Sequence, residues 1–107
     1  MIQENYKYSV TNEKIIERII DDHNIHLNHM VLTKGTSLPE HFSNSNVYMI
    51  VIRGTMSLKL NQEDTQLYVV GDIINIPFNT KMNVNNNHED ILEFFVIKAP
   101  NPKDYKA

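Results

Sequence analysis

The stretch VYMIVIR, residues 47–53, is apolar at six consecutive positions and ends on an arginine. Successive side chains on a strand point to opposite faces, so Val47, Met49 and Val51 share one face and Tyr48, Ile50 and Ile52 the other. A strand wetted on one side would alternate apolar with polar. This one is apolar on both sides, so its outer face is expected to be covered by the edge of a second sheet, by another element or by a partner subunit. Gly54 ends the run, and MSLKL (56–60) then sends Met56, Leu58 and Leu60 inward and Ser57 and Lys59 outward.

The same period of two recurs along the chain. Leu27 to Thr33, Leu67 to Val70, Ile73 to Ile76 and Ile91 to Ile97 are short β-branched or aromatic runs. Turn-forming clusters separate them at close spacing: Gly35 with Pro39, Asn44 to Asn46, Asn61 to Asp64, Gly71 with Asp72, Pro77 with Asn79, and Asn85 to Asn87. Asn83 to Asn87 reads as a loop or hairpin turn. The pattern predicts an all-β barrel or sandwich over about residues 25–98. Ahead of it, TNEKIIERIIDD (11–22) places Ile15, Ile16, Ile19 and Ile20 on one helical stripe, with Thr11 or Asn12 as a cap. One short N-terminal α-helix is therefore expected over about 12–22.

Composition narrows the class. The chain has 107 residues, a formal net charge of −3, ten basic and thirteen acidic residues, and no cysteine. One domain, 1–107, is expected, because a chain of this length supports a single core. Without cysteine there is no disulfide, thiolate zinc site or cysteine nucleophile. The interspersed charges form no basic stripe, so nucleic acid is not an expected partner. No apolar run reaches the roughly 18–20 residues that span a bilayer, and MIQENYKYSV does not read as a secretory signal, so a cytoplasmic protein without membrane contact is expected.

Two stretches carry a family resemblance. Gly35-TSLPE-His41-F-Ser43-NSN-Val47-YMIVIR-Gly54 keeps the spacing of the first cupin motif, and Gly71-DIINI-Pro77-F-Asn79-TK-Met82-NVN-Asn86 keeps that of the second. The chain resembles small single-domain prokaryotic cupins of the RmlC-like kind from Asn24 onward. That resemblance implies a double-stranded β-helix, or jelly-roll barrel. In metal-dependent cupins three histidines and a glutamate project into the barrel. Here only His41 matches; Ser43, Val47 and Met82 stand at the other three positions, and neither valine nor the loss of the carboxylate suits a divalent ion.

No metal or other cofactor is therefore expected. Were one bound, His41 and His29 would be the histidines to consider, and a Cu(I) site could draw on the thioethers of Met49 and Met82. Methionine is also the adaptable filler of apolar cavities. Glu93, in ILEFFVI, is a carboxylate among apolar neighbours and could act as an acid or base, though an exposed strand end would equally explain it. The segment His23, His26 and His29 offers at most one side chain to the barrel interior, since His26 and His29 fall on opposite strand faces.

Three functional classes follow. In the first, a metal-free barrel holds a small, largely apolar molecule in a pocket lined by His41, Ser43, Val47, Met49, Val51, Met82, Val84 and Phe95, unless those side chains simply fill the barrel. In the second, the protein is a non-catalytic sensory or interaction module, with a homodimer supplied by VYMIVIR and the isoleucine stripe. The third is an enzyme: a dioxygenase or isomerase with non-standard metal ligands, or a metal-free epimerase-like protein with His41 as base.

Overall fold

Apolar alternation carries through into nine strands among the described residues, 2–106 of the computed structural model. They are β1 (Ile15–Asp21), β2 (His26–Thr33), β3 (His41–Phe42), β4 (Val47–Arg53), β5 (Thr55–Leu60), β6 (Gln66–Val69), β7 (Ile73–Ile76), β8 (Lys81–Asn85) and β9 (Ile91–Lys98). A 3₁₀ turn at Pro102–Asp104 follows, capped by the Asn101 side chain. One sheet runs β1-β2-β9-β4-β7 and the other β3-β8-β5-β6, and the named strand pairs are antiparallel. The last strand lies between β2 and β4, which is the crossed connectivity of a jelly roll rather than a meander.

The inner faces of the two sheets meet in one core. Leu32 and Phe94 from one sheet and Met56, Leu58 and Val84 from the other are each at most 1% exposed. Burying each such side chain contributes about 1.5–3 kcal/mol. The inward set of VYMIVIR is the expected one, Val47, Met49 and Val51, all buried. Its outer face is only partly covered, with Ile50 and Ile52 half-buried and Tyr48 exposed. In β5, Met56 and Leu58 face the core, Leu60 packs against it and Lys59 is exposed, as the alternation requires, but Ser57 on the outward face is buried at 2% exposure, so that face is only partly solvated.

Two expectations are corrected. Residues 12–22 do not form a helix: Ile15–Asp21 is the edge strand β1, paired with β2 through Ile15↔Val31 and Glu17↔His29. A bulge between Arg18 and Ile20 shifts the register, so Ile20 stands opposite Leu27 on the face of Ile15 and Glu17. The bulge lets one isoleucine set satisfy a strand although its spacing also suits a helix; β-branched residues and an open edge on β2 favour the strand. The asparagine-rich stretch is likewise not wholly a turn. Asn83 and Asn85 belong to β8, where Met82 and Val84 point into the core and the asparagines alternate outward.

Gly54 sits in the tight link between β4 and β5 with φ of +82°, and an added Cβ would lie 2.1 Å from the Ile91 carbonyl oxygen. Gly71 also has positive φ (+98°), but nothing lies within 4 Å of its Cβ position. Gly54→Ala should therefore destabilise the protein by about 3 kcal/mol or more and Gly71→Ala by about 1 kcal/mol, measured by urea denaturation.

Candidate functional site

The residues that the motifs single out do not converge on a polar pocket. Val47, Met49, Val51, Met82 and Val84 belong to the packed core. Ser43 is buried, but its hydroxyl is spent on the backbone: Oγ donates to the Pro77 carbonyl at 2.6 Å and accepts from the Thr80 amide at 2.8 Å. His41 stands opposite Met82 across β3 and β8, yet it is exposed and its Nδ1 engages the Pro39 carbonyl at 2.9 Å. Phe95 is corrected outright, since it faces away from the barrel with Glu93, while its neighbours Phe94 and Val96 supply the core. Asn86, the last residue of the second motif, is buried and structural, donating to the Leu32 carbonyl.

A metal of the family's kind does not fit these positions. One exposed histidine, one serine committed to two backbone groups, a buried valine and a buried methionine offer no convergent donor set. Among the described residues no group of three or more His, Asp or Glu side chains is placed to hold a metal ion.

The chemistry lies on the outer face of the five-stranded sheet. Register places Glu17 opposite His29 across β1 and β2, and Glu93 opposite Arg53 across β9 and β4. His29 is fully buried, with Nδ1 2.6 Å from Glu17 Oε2 and Nε2 2.5 Å from Glu93 Oε2. Arg53 Nε donates to the other oxygen of Glu93. Contrary to an exposed strand end, Glu93 is only 6% exposed. Each N···O contact of His29 needs one proton, so an imidazolium between two carboxylates fits, and the four groups then balance their charge. With both ring nitrogens committed, His29 has no lone pair left for a metal.

The segment before β1 folds back over this array. Ser9 donates to Glu17 through its amide (2.8 Å) and its hydroxyl (2.9 Å). Arg53 reaches the Thr11 carbonyl (2.8 Å) and Asn12 Oδ1 (2.7 Å). Tyr8 lies over His29 and Phe95, with ring centroids 4.6 and 5.0 Å away. The Ser9 amide, followed by His29, holds the Glu17 carboxyl below the usual carboxylate range. Between this strap and the sheet is a cavity of about 520 Å³ lined by Tyr8, Val10, Thr11, Asn12, Arg53 and Glu93.

At the other end of β2, on the inner face, His26 pairs with Lys98 of β9. Burial, followed by the charges of Lys98 and Arg18, holds the His26 imidazole below its ordinary pKa, and burial does the same to the Lys98 ammonium. His26 Nε2 is a buried side-chain nitrogen with no hydrogen-bond partner among the described residues.

Sequence reasoning passed over this array because its members are 12 to 76 positions apart. The available signal was three charged residues inside or ending apolar runs: Glu17 in IIERII, Arg53 closing VYMIVIR and Glu93 in ILEFFVI. Removing His29 would leave two carboxylates without their shared donor, one of them buried. His29→Ala should cost about 3–5 kcal/mol, whereas His41→Ala at an exposed edge should stay within about 0.5 kcal/mol, both read from chemical denaturation.

No protein-family model matches the sequence. The uncharacterized protein MJ0764 of Methanocaldococcus jannaschii is 41% identical over 108 residues, which cover 100% of this chain and 93% of that protein. The crystal structure of that RmlC-like cupin family protein, a double-stranded β-helix, superposes with a TM-score of 0.93 over 96% of this chain and 95% of that one. More distant folds agree: a cupin superfamily protein from Desulfitobacterium hafniense (TM-score 0.73, 10% identity, 87% of this chain and 83% of that one) and a cupin domain from Bordetella pertussis (TM-score 0.71, 17% identity, 80% and 92%). The jelly-roll connectivity, the motif glycines and a relative 41% identical along the whole chain coincide, and the chain belongs to the RmlC-like cupin family.

Proposed function

We propose that this cupin is a non-catalytic small-molecule-binding protein whose ligand site lies beneath the N-terminal strap, outside the barrel. The observation that carries this is the contrast between two spaces. The interior, where the family places its ligands, is filled by side chains such as Met49 and Met82, each 1% exposed. The cavity of about 520 Å³ instead adjoins Arg53 and Glu93 and is walled by Tyr8 and Val10, and its size falls within the range of about 300–1,000 Å³ usual for small-molecule sites. Four of its six lining residues, Thr11, Asn12, Arg53 and Glu93, are polar or charged and Tyr8 and Val10 add apolar surface, which suits a small amphipathic molecule better than a metal or a nucleic acid. An enzyme using His41 as base lacks support, since that ring is exposed and has only a backbone carbonyl as partner.

A homodimer is proposed on separate grounds. Tyr48, Ile73, Leu67, Val69 and Val70 are 40–67% exposed, and β7 and β6, which carry Ile73 and the pair Leu67 and Val69, are edge strands. Large apolar side chains beside open edges are what a second copy would cover. Sedimentation equilibrium should give twice the chain mass, with Ile73→Lys shifting it to monomer; a wild-type monomer at high protein concentration rejects the dimer.

The binding proposal is tested by screening a library of small amphipathic fragments against the ¹⁵N-labelled protein and titrating Fe, Mn, Zn, Ni and Cu(I) in parallel. Fragment-induced shifts should gather at Tyr8, Thr11, Asn12, Arg53 and Glu93. Shifts gathered at Ser43, Met49 and Met82 would return the ligand to the barrel, and stoichiometric metal uptake would favour the metal-dependent alternative.

A further inference from the structure

Six side-chain or backbone links close into a ring around the strap. Ser9 holds Glu17, Glu17 meets His29, His29 meets Glu93, Glu93 takes Arg53, and Arg53 returns to Thr11 and Asn12. The strap thus bridges the two ends of a single chain of alternating charge, leaving Val10 between them 96% exposed. Few apolar contacts anchor such a segment, so its closure depends on these polar links.

We propose that the N-terminal strap is a latch held shut by this ring, which protonation of Glu17 opens, freeing the Tyr8 seat on His29 and taking apart the cavity, four of whose six lining residues lie on the strap. Its use as a ligand gate rests on the binding function proposed above; the latch itself does not. The titratable or charged groups facing His29 are Glu17 from β1, Glu93 from β9, Arg53 from β4 through Glu93, and Tyr8 from the strap.

The ring is intact only when Glu17, His29 and Glu93 share two protons. On the acid side, Glu17 binds a proton more weakly folded than unfolded, so its contribution is full above the ordinary carboxylate value and is lost as pH falls through its lowered folded value. A protonated Glu17 presents a hydrogen where Ser9 or His29 donates.

The experiment follows amide hydrogen-exchange protection factors of Ser9 in the full, ligand-free chain from about pH 3.5 to about pH 9.5, with the Leu32 and Phe94 amides as reporters of the barrel. Ser9 protection should hold a plateau above the ordinary carboxylate range and fall several-fold on the acid flank while the barrel amides stay protected. His29→Gln, which can donate to one glutamate but not both, should lower Ser9 protection at least tenfold across the range and flatten its profile. Glu17→Gln, which cannot gain a proton, should abolish the acid flank and gives a second variant if His29→Gln fails to fold. A flat wild-type profile, an acid flank unchanged in Glu17→Gln, or simultaneous loss of barrel protection would overturn the latch. Because no ligand is present, such a failure leaves the binding proposal standing, whereas absent fragment shifts with a working latch would reject only the binding proposal.

Discussion

An ionised carboxylate on the buried part of a sheet must find positive charge nearby, and Glu93 is that carboxylate here. At 6% exposure it accepts from Arg53 on one side and meets the His29 ring on the other. Left unpaired, a buried charge costs several kcal/mol, so the positions of β2 and β4 on either side of β9 are tied to each other through it. His29 in turn requires an acceptor at Nδ1, which brings Glu17 and hence the edge strand β1 into register. The strap is the outermost consequence, gathered onto both oxygens of Glu17, one of them shared with His29, and the remaining donors of Arg53.

The barrel itself follows a different logic. Its interior is closed by volume rather than charge: valines, methionines and leucines from both sheets meet there, and of the four positions where the family's metal-dependent members carry ligands only His41 and Ser43 are polar, the first exposed and the second spent on backbone groups. Motif residues that remain polar have become scaffold. Ser43 stitches the Pro77–Thr80 turn, and Asn86 clamps the β2 end while its backbone engages Gly35 and Thr36. The spacing of the motif is thus required by turns that need glycine and loops that need hydrogen bonds, whatever side chains stand at the ligand positions. Buried charge lies on the outer face instead, and a core filled by thioethers and branched chains has little room to solvate an ion.

How much of this was legible in the chain differs by length scale. Strand positions could be read for β4, β5, β7 and β9, and inward faces for β4 and β5, because alternation is a local property and the strands are short, strongly apolar and punctuated; in β9, apolar on both faces, Phe95 was expected inside where Phe94 stands. The jelly roll was legible through the spacing of Gly35, Gly54, Gly71 and Pro77. β1 was not, since its isoleucine spacing satisfies a helix until a bulge absorbs one residue, and the bulge exists only against β2. β8 hid behind its outward asparagines. The site was legible only in parts: Glu93 stood out as a carboxylate in an apolar run, but its partners could not be named.

The sequence by itself therefore determined an all-β barrel of the cupin family with an apolar interior and degenerate ligand positions, because composition, period and motif spacing act locally and survive without coordinates. Only the tertiary structure decided that the interior is filled, that His41 stands outside it, and that Glu17, His29, Arg53 and Glu93 form one array under the strap. These depend on which strands become neighbours and in which register, and a charged side chain carries no mark in the sequence of the partner, dozens of residues away, that makes its burial affordable.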